Sequence, residues 1–257
     1  MKNKRRLIFS GCLTGIMVLL FIITQTVIFA SFFMPFFEWQ FERSRYYSPF
    51  SGSNAIETIG IEKDELMRVT TELLDYMKGR RDSLDGIQAV VMGENREFFS
   101  DLEKRHMIDV RVLYDWVFRI RTFSGWFIFV QIIMLVLLKY DRFPYHNNFA
   151  SHVDAYVHYT RAALKYTRIV VVSFLSIAAI TTIVIATDFA RAWDFFHVIF
   201  FNNDYWILTH RVDLLLDMVS LSFFLHISIL IGSIILIACL CIIFFSTIML
   251  KRIGDKK

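Results

Sequence analysis

The sequence has few of the residues that interrupt or cross-link a chain. Its 257 residues include only 3 Pro, 10 Gly and 3 Cys. Such low proline and glycine contents exclude a collagen-like chain and a low-complexity disordered chain. All three cysteines, Cys12, Cys239 and Cys241, fall inside apolar runs. The sequence therefore predicts neither a small disulfide-stabilised scaffold nor an external thiol nucleophile.

Apolar and aromatic residues are abundant instead. Hydrophobic residues make up 56% of the chain, aromatic residues 16%, and the mean hydropathy is +0.49. Long uncharged runs cover residues 7–37, 122–138, 169–187 and 218–250, and each is long enough to cross a bilayer as a helix. The first run is too long for a signal peptide, so we interpret it as retained. We predict an all-α integral membrane protein with four transmembrane helices and a helical extracellular cap.

Basic residues predict which segments face the cytoplasm. Residues 1–6, 139–168 and 251–257 all carry more basic than acidic residues, and the positive-inside rule places them in the cytoplasm with both termini. The remaining connections, 35–111 and 188–221, are acidic and would face outward. Because this topology accounts for the basic residues, the formal net charge of +4 indicates no nucleic-acid partner.

Local sequence patterns predict further helices in the connections between the spans. Four apolar residues before Gly79, at 66, 69, 73 and 77, predict an amphipathic cap helix, and the capping-box pattern Ser100–Glu103 predicts the start of a second helix. A third helix is predicted from Ser151 in the inner connection, which is rich in aromatic residues. The predicted segments are a basic end with the first span (1–34), the cap (35–111), the second span (112–138), a cytoplasmic interfacial segment (139–168), the third span (169–187), an outer aromatic segment completing the cap (188–221), the fourth span (222–250) and a cytoplasmic tail (251–257).

Two histidines stand out among the seven in the chain. His106 lies on the apolar face of the second predicted cap helix, where a titratable ring is a candidate functional group. His197 lies in an aromatic stretch just after the third span. The alternative is structural, with His106 as a hydrogen-bonded core residue and His197 in an interfacial aromatic belt. On the predicted inner side, His152 and His158 are interpreted as structural.

Motifs for other chemistries are missing from the sequence. The acidic outer face has no HExxH, no CxxC pair and no closely spaced histidine pair, so we predict no metal site. No GxSxG elbow is present to support a serine hydrolase, although Ser220, Ser222 and Ser228 are available hydroxyls. No nucleotide or flavin motif is visible, and we predict no cofactor.

Two stretches resemble the signatures of one known family. FFSDLEKRHMIDV (98–110) precedes the second span, and FHVIFFNNDYW (196–206) follows the third. Both are similar to motifs of the bacterial lipoprotein intramolecular transacylases (Lit), integral membrane enzymes of low-GC Gram-positive bacteria. Residues 64–76 also resemble a cap helix of that family. The resemblance covers most of the chain, with the spans in matching order.

The resemblance implies an outward-facing active site in the bacterial cell membrane, with a catalytic pair at the positions of His106 and His197. The implied reaction moves the sn-2 acyl chain of a diacylglyceryl-modified lipoprotein to the α-amino group of the same N-terminal cysteine, which gives lyso-form lipoprotein. The implied partners are such lipoproteins and membrane lipid. The sequence departs from the family after Trp206 and before the last span, where Asp-Pro and Pro-Glu are usual. No role of that glutamate is carried over.

The implied chemistry suits imidazole side chains. Transfer within one substrate needs no enzyme nucleophile, but a base must take a proton from the α-amino group, whose ordinary pKa is about 7.7–8.0. A second group must stabilise the oxyanion or protonate the leaving oxygen. His106 and His197 could share these roles in either order. The predicted substrate-binding residues, which include an aromatic enclosure, are Asp109, Tyr114, Trp116, Phe196, Phe200, Phe201, Asp204, Tyr205 and Trp206.

Several alternatives stay open on the sequence alone. Asp109 could orient the His106 ring or pair with Arg105, and Asn203 and Asp204 could form the turn before the motif tryptophan instead of binding substrate. A single helix over 100–138 would hold His106 about 20 Å from residue 119, which predicts either a bend within 109–116 or a deeper membrane boundary. The rival functions are a non-catalytic protein with a lipid- or partner-binding cap, and a membrane hydrolase or intermolecular acyltransferase.

Overall fold

A computed structural model of the protein describes residues 2–43, 54–139 and 149–254. The predicted inner aromatic residues Tyr140, Phe143 and Tyr145, and His146, lie outside these ranges. The elements are α1 (Lys2–Ser31), α2 (Met34–Phe41), α3 (Ala55–Ile59), α4 (Lys63–Met77), β1 (Gln88–Val91), β2 (Glu94–Glu97), α5 (Asp101–Lys139), α6 (Phe149–Thr187), α7 (Phe189–Phe200), α8 (Leu214–Met218) and α9 (Leu221–Gly254). The predicted helical fold class is confirmed, with one short hairpin that the sequence analysis did not predict.

In the described part of the chain, four helices are long and apolar enough to cross a membrane. Their qualifying parts are Lys4–Ser31, Asp101–Lys139, Asp154–Thr187 and Leu221–Ile253. The protein is therefore a multi-pass membrane protein. α5 has 39 residues, or about 58 Å at 1.5 Å per residue, roughly twice the thickness of the hydrocarbon core. It runs without interruption through 109–116.

In the cap, the predicted end of the first helix and the predicted start of the second helix are confirmed. α4 buries Leu66, Val69, Leu73 and Met77, and Gly79 follows with a φ of +72°, in the left-handed region that favours glycine. α5 begins with a capping box around Ser100. The Ser100 hydroxyl accepts a hydrogen bond from the backbone N–H of residue 103 at 3.2 Å, and the Glu103 carboxylate accepts one from the N–H of Ser100 at 2.5 Å.

One compact unit, called the site unit here, comprises Ile28–Val117 and Ile185–Ile231. Its core draws on α2, α3, α4, the hairpin, the first turns of α5, and α8. The largest fully buried apolar side chains in it are Phe41, Phe98, Phe99, Ile59, Leu66, Ile87, Met218 and Val69. A water-excluding core of this kind lets the segments between the spanning helices fold as a domain rather than as bare loops.

The hairpin packs into this core and is linked to the start of α5. Its two-residue turn has φ values of 52° at Met92 and 83° at Gly93, and the Met92 N–H donates to the Gly60 carbonyl at 2.7 Å. The Lys104 ammonium lies 2.7 Å from Glu97 and 2.8 Å from Asp85. The turn of α5 that precedes His106 is thus held by an ion-pair network.

The second compact unit, called the span unit, comprises Met1–Val27, Phe118–Val184 and Gly232–Lys257. Its buried apolar residues are few, with Leu19, Val171 and Cys239 at the centre. α1 and α6 pack closely at Gly11, where an added Cβ would lie 2.8 Å from the Ala162 carbonyl oxygen. Close approach at small residues is typical of helix packing in membranes.

Candidate active site

The structure brings His106 and His197 together inside the site unit. His106 lies in the second turn of α5 and His197 near the end of α7. Their ring centroids are 5.9 Å apart and the ring planes are inclined by 34°. Both rings are buried, with 8% and 6% of the residue exposed. Two titratable rings that share a buried environment, far apart in sequence, form a candidate catalytic pair.

A backbone hydrogen bond and two indole rings hold the His197 ring. Its Nδ1 lies 2.8 Å from the Trp193 carbonyl oxygen, one helical turn earlier. Because a carbonyl oxygen only accepts, this contact assigns the proton to Nδ1 and leaves the lone pair of the neutral ring on Nε2. Trp206 stacks on the ring at 4.8 Å, and Trp193 meets it edge-on at 4.7 Å.

Burial lowers the pKa of His197 below its ordinary value. The hydrogen bond to the Trp193 carbonyl and the negative charge of Asp194 oppose this shift but do not reverse it. A lowered pKa keeps the imidazole neutral at pH 7, in the form that can accept a proton.

The His106 ring has an unsatisfied nitrogen. Its Nδ1 is buried and has no hydrogen-bond partner within the described ranges. Buried polar atoms are usually hydrogen-bonded, so this exception needs an explanation. Phe201 closes one side of the pair, with its ring 5.4 Å from His106 and 5.6 Å from His197. The pair thus combines a proton-accepting nitrogen on His197 with a buried nitrogen on His106 that has no hydrogen-bond partner among the described residues.

Asp109 links α5 to the loop that follows α7. Its carboxylate accepts a hydrogen bond from the Asn203 amide at 2.9 Å, a partner that neither alternative from the sequence included. The side-chain oxygen of Asn203 accepts the N–H of Tyr205 at 3.1 Å, which builds the turn before Trp206 as the sequence analysis suggested. Arg105 instead lies over the Tyr205 ring, at 5.7 Å from its centre.

Two further predicted aromatic residues extend from the His197 ring. Phe196 lies edge-on to the His197 ring at 5.6 Å and contacts Phe200 at 4.7 Å. Phe200 is 52% exposed, and Asp204 is also exposed. These aromatic residues are therefore a continuous group of which only part is buried.

Tyr114 and Trp116 lie further along α5. The Tyr114 hydroxyl hydrogen-bonds the Ser31 hydroxyl at 2.5 Å, and its ring packs edge-on against Phe32 at 5.7 Å. Trp116 is 57% exposed. The structure thus connects Tyr114 to the end of α1, and the contacts it gives do not join either residue to the histidine pair.

Other candidate groups from the sequence have local partners. Ser220 and Ser222 hydrogen-bond each other at 2.8 Å, and the ring of His226 lies 3.3 Å from the Gln40 side-chain oxygen. Within residues 2–43, 54–139 and 149–254, no group of three or more His, Cys, Asp or Glu residues is arranged to hold a metal ion.

A set of buried carboxylates in α5 and in or directly before α8 was not predicted from the sequence. Glu103, Asp213 and Asp217 are each at most 3% exposed. Glu103 carried a local signal, the capping box, but its burial depends on a partner far along the chain. Asp213 and Asp217 lie in a connection without helical periodicity, where the sequence contained no indication of burial.

Comparisons with known proteins agree on one family. The sequence profile of the lipoprotein intramolecular transacylase family Lit matches residues 12–224, a range that contains both histidines. No curated protein shows a significant match to this chain.

Solved structures of similar fold come from Bacillus cereus. A structure of its membrane-integral lipoprotein intramolecular transacylase Lit superposes with a TM-score of 0.65 at 16% identity, covering 99% of this chain and 97% of that one. A variant of that protein with one histidine replaced by arginine gives a TM-score of 0.64 at 16% identity, covering 100% and 96%. A third, with a histidine replaced by alanine, gives 0.65 at 16% identity, covering 98% and 95%.

At this identity the superpositions establish the fold, and the profile match over most of the chain establishes the family. This chain belongs to the lipoprotein intramolecular transacylase family, which makes it a membrane-integral acyltransferase.

Proposed function

We propose that this protein moves the sn-2 acyl chain of a diacylglyceryl-modified lipoprotein to the α-amino group of the same N-terminal cysteine, leaving lyso-form lipoprotein. The observation that carries the proposal is the buried pair of His106 and His197, with ring centroids 5.9 Å apart. An ester-to-amide transfer needs one group that accepts a proton and one that stabilises negative charge, and a neutral imidazole can do either.

His197 is the proposed base. Its Nδ1–H is held by the Trp193 carbonyl, which leaves Nε2 free to accept a proton and stabilises the imidazolium that forms. The attacking α-amino group must be neutral and has an ordinary pKa of about 7.7–8.0. As the new C–N bond forms, one amine proton passes to Nε2 of His197.

His106 is the proposed oxyanion partner. A neutral imidazole has one N–H, which can donate to the tetrahedral oxyanion. The Nδ1 of its buried ring has no hydrogen-bond partner among the residues that the structure describes, which supports a role completed by the substrate. As the tetrahedral intermediate collapses, the glyceryl C–O bond breaks, and the proton held by His197 passes to the glyceryl oxygen. The amide and the free hydroxyl are then complete, and both rings are neutral again.

The aromatic residues around the pair would enclose the substrate. Phe201 contacts both histidines, and Trp206 stacks on one of them. Apolar rings in these places would exclude water and hold the donor ester near the acceptor amine, where proximity can supply about 7–11 kcal/mol of the barrier. Asp109, Tyr114, Trp116, Phe196, Phe200, Asp204 and Tyr205 are proposed to line the remainder of the substrate path.

The proposed orientation places both termini in the cytoplasm and the histidine pair outside. Its support is the basic character of 1–6 and 251–257 and the acidic character of the two segments that would face outward. Fusion of a reporter that is active only in the cytoplasm to the C-terminus should give signal. Activity of an export-dependent reporter at that position would contradict the orientation.

The experiment for the proposed function is mass spectrometry of a lipoprotein's N-terminal peptide. The host must otherwise make diacyl lipoproteins and must express the wild-type gene. We expect one acyl chain on nitrogen and one on the glyceryl group, with total acyl mass unchanged. An unaltered diacyl peptide beside well-expressed protein would indicate a binding cap instead, and a peptide that had lost one acyl chain would indicate a hydrolase.

A further inference from the structure

Three carboxylates are buried in the site unit, one in the first turn of α5 and two in or directly before α8. Glu103 and Asp217 are 0% exposed, and Asp213 is 3% exposed. Acidic side chains are almost never fully buried unless they are paired or hydrogen-bonded. The contacts of this carboxylate cluster (Glu103, Asp213 and Asp217) therefore indicate what it stabilises.

Glu103 does more than complete a capping box. One carboxylate oxygen accepts the N–H of Ser100, which satisfies the capping role. The other oxygen accepts the backbone N–H of Leu215, in α8. A capping box needs only the first contact, so the second is an additional link between the start of α5 and a segment more than one hundred residues later.

Asp213 makes a second link to the start of α5. Its carboxylate accepts a hydrogen bond from the Ser100 hydroxyl at 3.0 Å and another from the N–H of Thr209 at 2.8 Å. The first turn of α5 is thus bonded to the 209–215 segment through both Ser100 and Glu103.

Asp217 fixes the backbone of the same segment. It accepts the N–H of Arg211 at 2.8 Å and lies 2.8 Å from Nδ1 of His210. Arg211 has a φ of +67°, a left-handed conformation that costs free energy in a non-glycine residue. The hydrogen bond to Asp217 holds this strained turn in place.

The cluster connects the two sides of the candidate active site. Glu103 is three residues before His106 on α5, so the two side chains lie on the same face of the helix. The segment that Glu103 bonds follows directly after Phe201 and Trp206, whose rings contact the histidine pair. The position of His106 relative to these rings therefore depends on the bonds between α5 and the 209–215 segment.

We propose that Glu103 is a positioning residue for acyl transfer: its carboxylate fixes the helix that carries His106 against the segment that directly follows Phe201 and Trp206 in the chain. This proposal rests on the proposed function. A displacement of about 1 Å in a catalytic group can cost about 100-fold in rate, so loosening this link should lower turnover without abolishing the fold.

The test uses Glu103→Gln and Glu103→Ala in the full-length purified protein with a synthetic diacylglyceryl lipopeptide. Glutamine keeps the shape and one acceptor oxygen, whereas alanine removes both contacts. We expect kcat to fall about 10- to 100-fold in Glu103→Ala and less in Glu103→Gln, with KM within about two-fold of wild type. Asp101→Ala is the matched control, since this carboxylate lies on the same turn and its side chain is 95% exposed.

Rates are normalised to folded protein, and hydrogen exchange of the Leu215 amide is measured in parallel. A merely structural role would lower the folded fraction and leave kcat and KM of the folded protein unchanged, which would overturn the proposal. Wild-type kcat in both Glu103 variants would also overturn it, while the proposed function stood. If wild-type protein did not convert the lipopeptide, the proposed function would be overturned, and so would the proposed role of Glu103 in turnover. Faster exchange at Leu215 together with lower kcat is the expected result.

Discussion

The two compact units bury their apolar residues in different ways. In the site unit, Leu66 and Phe98 are 0% exposed inside one continuous core. In the span unit, Ile180 and Ile183 are 67% and 69% exposed. The site unit therefore folds by excluding water from its own interior, whereas the span unit leaves large apolar surfaces for lipid to cover.

The residues of the candidate active site all lie in one of the two units. The histidine pair, the aromatic rings around it and the carboxylate cluster all belong to the site unit. Among its described residues, the span unit buries a small apolar group around Leu19, Val171 and Cys239. Substitutions in the site unit should therefore affect catalysis and stability strongly, and comparable substitutions on the exposed faces of the span unit should affect neither.

The largest expected effect is loss of the histidine pair. His106→Ala and His197→Ala should each lower the rate of acyl transfer by about 100- to 10,000-fold, because each removes an acid–base or oxyanion group. The rate is measured by mass spectrometry of the lipopeptide product. His158→Ala, an exposed histidine of the span unit, is the control and should convert at the wild-type rate. Wild-type rates in both site variants would exclude the two-histidine mechanism.

Truncation of a large apolar side chain should destabilise the protein much more in the site unit than in the span unit. Phe98→Ala in the site unit should lower the free energy of unfolding by about 3–5 kcal/mol, since it leaves a cavity at a fully buried position. Ile180→Ala in the span unit should change it by less than about 0.5 kcal/mol. Thermal unfolding of both variants in the same detergent measures the difference. Equal losses would contradict the contrast between the units.

Loss of the indole that stacks on His197 should have a smaller effect. Trp206→Leu removes an aromatic contact worth about 0.5–1.5 kcal/mol, so we expect kcat to fall up to about ten-fold. Trp206→Phe keeps a ring and should keep more of the rate. Trp126→Leu replaces a 63% exposed tryptophan of the span unit and serves as the control. A larger loss in the control than in the site variant would refute the role of stacking.

The pH dependence should be the smallest effect. Because burial lowers the pKa of His197, the unfolded chain binds a proton at this residue before the folded protein does. Its contribution to stability is complete above about pH 6.5 and is lost as the pH falls from there towards the lower folded-state pKa. In kcat/KM the substrate's α-amino group should give one limb at about pH 7.7–8.0, and the ionisation of His197 should lie below that, at a pH under about 6.5. Unfolding of His197→Phe across the same range isolates the histidine, and an identical pH dependence in variant and wild type would contradict this assignment.

The sequence predicted features that depend on neighbours a few residues away. The capping box at Ser100, the buried face of α4 and the four apolar helices all follow from spacing within one or a few turns. The hairpin at 88–97 was missed because its turn places Met92 in a left-handed conformation that methionine seldom adopts. Gly93 and the neighbouring valines were its only local signals.

The sequence suggested residues for the candidate site, but not the contacts between them. His106 stood out as a titratable ring on an apolar helix face, and His197 as an imidazole within an aromatic stretch. Their approach, and the bond of Asp109 to Asn203, join residues more than ninety positions apart. Spacing carries no information on such contacts, which depend on how the helices pack.

In the proposed reaction the acyl chain moves within one substrate molecule. To test this, purified protein is supplied with two lipopeptides together. One has a heavy peptide and light acyl chains, and the other has a light peptide and a deuterated sn-2 chain. We predict that every lyso-form product keeps the acyl chain of its own peptide, and that conversion depends on His106 and His197. Products that combine the heavy peptide with the deuterated chain would contradict intramolecular transfer.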